Sequence, residues 1–563
     1  MTEAITREAA IGPAPDETRT SKAAMALVVA ASSAGTTFEW YDFFIFGTLS
    51  SIIAKAFFSG VNETAGFIFT LAVFGAGFAV RPLGALVFGW LGDRMGRKKA
   101  FVVTVTMMGL ATIGIGVLPT YRQAGLAGPS LLIALRIVQG FAVGGEYGGA
   151  AIYVAEHAPG HRRAEYTGWI QIAASLGLLA ALSVILIARK TLGEAAFSAW
   201  GWRIPFLISA GLLAISLWMR ARLGESPAFK KMMAEGAGSH APLGETFLTW
   251  RYLKVVLVSL FSVLIAQGAV WYLVYFYTQF FLEKVLKLES ASVNLFMIVV
   301  CVLSAPLYVL LGALSDRIGR KPVMLVGMIV GVLGIFPVYK AMTAAAVPAL
   351  AAAQARAPVT VIADPADCSL QFDPIGKAAF LSSCDIAKSA LTNAGVSYAN
   401  QVAPSGVGAS VKVGEAVIPS PSAKGLPASE AKTVKAATEA KIKAALDAAG
   451  YPASADPGQV NWIAVFGWLA ILVVGASAIY GPMGATMVEL FPTRIRYTGV
   501  SLPYNIGIGW VGGFLPALSF ALVAANGNMF FGLWYSVIIA AVAVVCTVLF
   551  LPETKGRDLY AEA

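Results

Sequence analysis

The sequence predicts an all-α membrane protein of twelve transmembrane helices in two pseudo-symmetric six-helix bundles, with an extracytoplasmic insert between helices 9 and 10. Three observations carry that prediction. Only 13% of the 563 residues are charged and 58% are hydrophobic, against about 25% charged in soluble domains. Apolar runs long enough to cross ~30 Å at ~1.5 Å per residue recur along the chain. An eleven-residue pattern ending one such run, GWLGDRMGRKK (Gly89 to Lys99), returns as GALSDRIGRKP (Gly312 to Pro322). A long motif repeated at the ends of two apolar runs implies a duplicated architecture.

Taken in order, residues 1–24 are polar, contain Pro13 and Pro15, and read as a cytoplasmic tail rather than a cleavable signal. The first bundle covers 25–222, with spans expected at 25–53, 65–92, 100–118, 129–155, 166–188 and 202–221. Residues 223–253, with Lys230, Lys231, Glu235 and Glu245, read as a cytoplasmic linker rather than a folded domain. Spans 7 to 9 follow within 254–341 (254–281, 290–314, 322–341), and spans 10 to 12 within 460–552 (460–487, 499–524, 530–551). Residues 553–563 form a second cytoplasmic tail. Lys and Arg gather on the side of the two motifs, which places both motifs and both termini in the cytoplasm.

Further echoes support the duplication. Span 4 ends in EHAPGHRR (Glu156 to Arg163) and span 10 in ELFPTRIR (Glu489 to Arg496); span 6 ends in LGESP (Leu223 to Pro227) and span 12 in LPETKG (Leu551 to Gly556). The wider offset of these echoes assigns an insertion to the second half, at 342–459. That stretch is rich in Ala, Pro, Ser and Gly, and its acidic and basic residues balance. It joins spans 9 and 10, so it is expected on the outer face. Ser429 to Gly450 has a capping residue, helix formers and a terminator. Its strong apolar positions, Val434, Ile442 and Leu446, are too few for a large core, so a small, half-ordered appendage is expected. Cys368 and Cys384 fall in the insert, where an outward pair suggests a disulfide. No zinc-binding spacing occurs, and no metal or cofactor is implied.

Charges inside a span are expensive, about 2.5–3.5 kcal/mol each. Span 1 holds Glu39 and Asp42 in FEWYDFF, span 2 holds Arg81, and span 4 holds Arg136, Gln139 and Glu146 in RIVQGFAVGGEYGG. At ~100° per residue Arg136, Gln139 and Glu146 share one face, as do Glu39 and Asp42. These residues are the candidate substrate and proton sites of the first bundle. The second bundle offers Tyr272 and Asn505. Arg81 and Arg136 favour a carboxylate, because the guanidinium fork matches it in two bonds; Glu39, Asp42 and Glu146 leave room for a zwitterion. Asp42 is the expected proton carrier, with Glu39 in reserve and Arg136 as partner. A substrate carboxylate on Arg136 would withdraw that arginine from Asp42 and so link anion binding to proton uptake. Gly89, Asp93, Arg94, Gly96 and Arg97, with Gly312, Asp316, Arg317, Gly319 and Arg320, are candidate gate residues, since such pairs form only while that side is closed.

The paired G-x-L-x-D-R-x-G-R-K motif and the R-x-x-Q-G element (Arg136, Gln139, Gly140) resemble those of the major facilitator superfamily. GTTFEWYDFFIFG, FAVRPLGALVFGWLGDRMGRKK, RIVQGFAVGGEYGG, GWRIPF, ESPAF and ELFPTRIRYTGVS together look like the metabolite:proton symporter branch, with uptake systems for 2-oxoglutarate, citrate, shikimate and proline or betaine. The resemblance covers everything except the first tail and the insert. It implies the two-bundle fold of that superfamily, a gate at the motifs, and a symporter in a bacterial inner membrane, multi-pass with both termini cytoplasmic.

The function expected is therefore proton-coupled import of a small organic acid by alternating access. A proline/betaine-type compatible-solute symporter is the alternative, although the short stretch after Glu553 lacks the long coiled coil of some osmosensing carriers. A sensor using the insert is the third reading. No G-x-x-x-x-G-K-[ST] loop occurs, which argues against an ATPase. No nucleophile–base–orienter set occurs either, so no enzyme is expected. The expected partners are a small organic solute, protons and the lipid bilayer; neither nucleic acid nor an obligate protein partner is implied.

Overall fold

The computed structural model describes residues 22–58, 73, 77–222, 224–369, 380–452 and 455–559. Residues 1–21 of the expected first tail and the opening part of span 2 fall outside these residues, while the last three tail residues already belong to the helix Lys22–Thr48. Among those described, nine helices are long and apolar enough to cross a membrane: Arg97–Val117, Ala127–His157, Gly160–Leu192, Arg203–Ala221, Trp250–Glu283, Ser290–Ile318, Arg320–Ala346, Trp462–Leu490 and Phe531–Phe550. They match expected spans 3 to 10 and 12. Expected spans 1, 2 and 11 are helical where described: Lys22–Thr48, Arg81–Met95, and a stretch of Arg496–Tyr504, Asn505–Gly512 and Leu515–Asn526.

Spans 7 and 11 depart from regular α geometry over part of their length. Span 7 is π-helical at Leu260–Leu264, Leu273–Tyr277 and Phe281–Val285, and span 11 at Asn505–Gly512. A π segment leaves carbonyls off the regular ladder and is frequent at functional sites. Spans 1 to 6 pack chiefly on one another, as do spans 7 to 12, and the two groups meet where span 5 lies on spans 8 and 10 and span 2 on span 11. Small residues make these crossings close: a Cβ on Gly312 would stand 2.5 Å from the Ala164 carbonyl oxygen.

The insert is more folded than its composition suggests. It holds a mixed four-stranded sheet, order β2-β1-β3-β4 (Ala399–Val402, Val359–Ala363, Ser410–Val413, Ala416–Pro419). Helices Ser383–Ala394 and Ala428–Ala448 accompany it. The expectation failed because it weighed one helix, whereas the core is assembled from alternating strand residues such as Val359, Val361, Val411 and Val413, with Leu391 and Ile386. The second helix begins at Ala428 after Pro427, so Ser429 does not cap it, while Gly450 lies just beyond its end at φ +82°. Cys368 and Cys384 are disulfide-bonded, with Cα atoms 5.1 Å apart. The backbone N–H groups of Ala366 and Gly406 hold the Asp364 carboxyl below its ordinary range. The insert docks on the second helix group: Tyr398 N–H donates to Gly527 O (2.9 Å) and Met529 N–H to Ser397 Oγ (3.0 Å). The helix Arg320–Ala346 starts at the second motif and ends beside the insert. At ~1.5 Å per residue this separates the motif end from the insert end by roughly 40 Å.

The linker is partly helical, at Pro227–Ala234 and Pro242–Leu248. Its Glu245 pairs with Arg494 at 2.6 Å, so it is fastened to the turn between spans 10 and 11.

Candidate functional site

Span 1 carries Glu39 and Asp42 on one face, and each meets an arginine from another helix of the same group. Glu39 Oε1 lies 3.9 Å from Arg81 Nη2, a charge pairing too long for a hydrogen bond. Asp42 Oδ2 accepts from Gln139 Nε2 at 2.8 Å and lies 3.7 Å from Arg136 Nη1. Gln139 also donates to Thr112 Oγ1 (2.7 Å) and accepts from Arg136 Nη1 (2.9 Å). The Arg136 guanidinium rests over the Phe46 ring at 4.0 Å. Asp42 Oδ1 and Arg81 Nε are buried with no hydrogen-bond partner among the described residues. Buried polar atoms are normally satisfied, so unsatisfied ones flag a place for a ligand, water or ion. Arg81 also faces the other helix group: a Cβ on Gly509 of span 11 would stand 3.7 Å from its Cδ.

Glu146 shares the Arg136 face of span 4 but is engaged elsewhere. Its carboxylate pairs with Arg220 at 3.1 Å and accepts from Thr104 Oγ1 at 3.3 Å, with both charged side chains almost fully buried. Arg220 was not among the sequence candidates, because it stands in the last turn of span 6, where an arginine ordinarily reaches the interface. Here it lies over the Phe101 ring at 3.4 Å instead. Tyr272 is buried and stacks on Phe276 at 5.1 Å. Asn505, at the start of the π segment in span 11, donates across the seam to Gly144 O at 2.8 Å, and its Oδ1 is unpartnered among the described residues. Tyr147 and Tyr504 stack across the same seam at 3.9 Å. Toward the insert end of span 7, Trp40 meets Trp271 (5.4 Å) and Phe43 meets Phe276 (5.6 Å), an aromatic closure between spans 1 and 7.

The motif end is closed by two matching clamps. Asp93 pairs with Arg97 (2.8 Å) and accepts the N–H groups of Tyr497 (3.0 Å) and Thr498 (2.8 Å) at the start of span 11. Asp316 pairs with Arg320 (2.7 Å) and accepts those of Ala164 (3.1 Å) and Glu165 (2.8 Å) at the start of span 5. Each carboxylate thus caps the positive end of a helix in the opposite group. Glu156 then binds Arg496 (2.7 Å) and Glu489 binds Arg163 (2.7 Å), again across the seam. Glu225 accepts from Arg97 N and Lys98 N, and Glu553 from Arg320 N and Lys321 N. Burial alone would raise Glu553, but the N–H groups of Lys555, Arg320, Lys321 and Thr554 together bring it below the ordinary range. The exposed guanidinium of Arg94 lies over Trp90 at 5.6 Å and joins neither clamp in the contacts described. Arg317 is also exposed, and its carbonyl accepts from Lys555 Nζ. Gly96 and Gly319 have φ of +110° and +114°, which only glycine adopts without strain. Sequence reasoning missed Glu156, Arg163, Glu489 and Arg496 as clamp members, although the echoes that contain them carried the signal.

Two packed helix groups, π-helical segments in spans 7 and 11 and reciprocal clamps across one end define a multi-pass membrane transporter of the two-bundle type. The chain belongs to the Major Facilitator Superfamily, whose profile matches residues 28–361; the "Sugar (and other) transporter" profile matches 448–562. It is 26% identical over 540 residues to the proline/betaine transporter of Escherichia coli K12, covering 94% of this chain and 84% of that one. It is 35% identical over 342 residues to the shikimate transporter of the same organism, covering 59% and 76%. The fold matches that of the proton:xylose symporter XylE with a TM-score of 0.61 at 17% identity, over 96% of this chain and 98% of that one. These relatives are transporters, not enzymes.

Proposed function

We propose that this protein is a proton-coupled symporter that imports a small organic acid by alternating access, with Arg81 as the substrate anchor and Asp42 as the proton carrier. It crosses a bacterial inner membrane twelve times, with the motifs and both termini in the cytoplasm and the insert outside. The observation that carries this reading is the loose Arg81–Glu39 pair at 3.9 Å, with Arg81 Nε unpartnered among the described residues and the side chain turned toward span 11. A carboxylate entering there gains a charge-assisted bond that Glu39 does not make. Gln139 supports the coupling role of Asp42, because it joins Asp42, Arg136 and Thr112 in one network. Anything that draws Arg136 aside changes what holds the Asp42 charge, and this ties proton occupancy to the substrate. Asn505 and Tyr272 contribute the wall from the second bundle. Glu146 supports this site only through the Arg220 pair that fixes span 4 against span 6.

A zwitterion is the second reading. Glu39 beside Arg81 would match an ammonium beside a carboxylate, and Trp40, Trp271 and Tyr272 supply aromatic faces of the kind that attract quaternary ammonium groups. The proline/betaine transporter among the relatives favours it. Uptake of labelled shikimate-like acids and of betaine into proteoliposomes, with an imposed pH gradient, separates the two. Accumulation of acids alone supports the first reading, accumulation of betaine alone the second, and no response to the gradient refutes proton coupling.

A further inference from the structure

The insert meets the ends of spans 7 and 11 through closely packed backbone. Its helix Ser383–Ala394 ends in Gly395 at φ +71°, where a Cβ would stand 2.0 Å from the Val285 carbonyl oxygen. Val285 is the last residue of the π segment Phe281–Val285 in span 7. Three residues after Gly395, Tyr398 covers the end of span 11, where a Cβ on Gly527 (φ +89°) would stand 2.2 Å from its ring. Both glycines permit an approach that any side chain would push apart.

Between these contacts the three elements leave a cavity of about 290 Å³. Its apolar wall includes Val285, Val396, Phe520 and Val523, and its polar side chains include Lys287, Thr392 and Asn393. Among the described residues no acidic side chain lines it. Lys287 is also the one non-glycine residue with positive φ (57°) among those described. Such a backbone persists where surrounding contacts enforce it, as at ligand clamps; here the next residue, Leu288, donates its N–H back to Leu282 O at 3.0 Å.

We propose that this cavity is an effector site for a small carboxylate with an apolar body, and that its occupancy fastens the insert to spans 7 and 11. Neither Arg81 nor Asp42 lines it, so the inference needs neither the substrate site nor the proton site assigned above. Size and charge select the ligand. The volume is roughly twice the ~150 Å³ that admits benzene in an apolar protein cavity, enough for a ring or short chain bearing a carboxylate. The Lys287 ammonium gives that carboxylate a charge-assisted bond, whereas an ammonium ligand would meet a like charge. The apolar body touches span 11 through Phe520 and Val523 and the insert through Val396, so it bridges the two. Span 7 carries the effect onward. Val285 lies about 14 Å along the helix from Phe276, which packs on Phe43 of span 1 at 5.6 Å in the aromatic closure.

The test uses the full-length chain in lipid nanodiscs, with cinnamate as the probe and cinnamyl alcohol and cinnamylammonium as matched controls. Calorimetric titration should show a saturable cinnamate site, absent for both controls and left in place by Arg81→Lys. Lys287→Gln is expected to weaken this binding about ten-fold or more, the loss of one hydrogen bond to a charged group. Val523→Trp, which fills the cavity, is expected to abolish it. Bound cinnamate should also slow hydrogen exchange about five-fold or more at the Tyr398 and Met529 amides, which join the insert to span 11. If Val523→Trp aggregates in gel filtration, Lys287→Gln and the exchange measurement decide alone. Equal binding by Lys287→Gln, equal binding of either control, or loss of the site in Arg81→Lys overturns the proposal. So does the absence of saturable binding, as when a lipid chain already fills the cavity. Unchanged exchange at both amides on binding overturns the fastening.

Discussion

Gly89, the first residue of the duplicated motif, offers the most direct test of what holds the motif end shut. A Cβ built there would lie 2.9 Å from Thr498 Cα and 3.3 Å from Thr498 N, across the seam on span 11. Both are backbone atoms, so no side-chain rotation relieves the contact, and the two helices must part by several tenths of an ångström. Overpacking of this kind costs about 1–3 kcal/mol, and here the cost falls only on the closed state, because the contact belongs to the seam. Gly89→Ala is therefore expected to shift the equilibrium toward motif-end opening by roughly 5- to 150-fold. The gain in helix propensity is common to both states and cancels. Gly47→Ala on span 1 is the control, since nothing lies within 4 Å of its Cβ position. Spin labels on the exposed positions Lys99 and Arg317 measure the separation of the two bundles by electron paramagnetic resonance. A longer-distance population should appear in Gly89→Ala and be absent from Gly47→Ala. Superimposable distance distributions for the two variants would refute the steric argument.

The Asp42→Asn variant should lose accumulation driven by an imposed pH gradient and keep substrate exchange; accumulation that still follows the gradient removes Asp42 as the coupling site. Arg81→Lys, which keeps the charge but not the fork, should raise KM about ten-fold or more with a smaller change in turnover. An unchanged KM moves the carboxylate anchor elsewhere. Cysteines in the 97–99 and 319–321 turns should be labelled from one side of the membrane and a cysteine at Ser405 only from the other. Common labelling of all three contradicts the topology.

The sequence by itself determined that this chain lives in a membrane and that it is duplicated, because hydropathy and a repeated motif are local properties that need no partner. The positions expected for spans 3 to 10 and 12 overlap the observed helices for that reason, although the ends of spans 5 and 9 lie several residues beyond those expected. It also singled out Glu39, Asp42, Arg81, Arg136 and Gln139, since a charged or amide side chain in an apolar run needs a structural or functional reason. Pairings across space were a different matter. Nothing local distinguishes Glu146, which turns to Arg220, from Gln139, which turns to Asp42. That choice is made by which neighbouring helix crosses at each level of span 4. The exchange of Glu156 for Arg496 and Glu489 for Arg163 joins residues more than three hundred positions apart, and so does the capping of span 11 by Asp93. Likewise, the insert core arises from short strands whose apolar positions alternate with polar ones, a pattern too brief to stand out from an Ala- and Ser-rich background. Only tertiary packing decides such contacts, because the low-polarity seam makes an unpaired buried charge so costly that each one takes the partner that the helix crossings bring within reach.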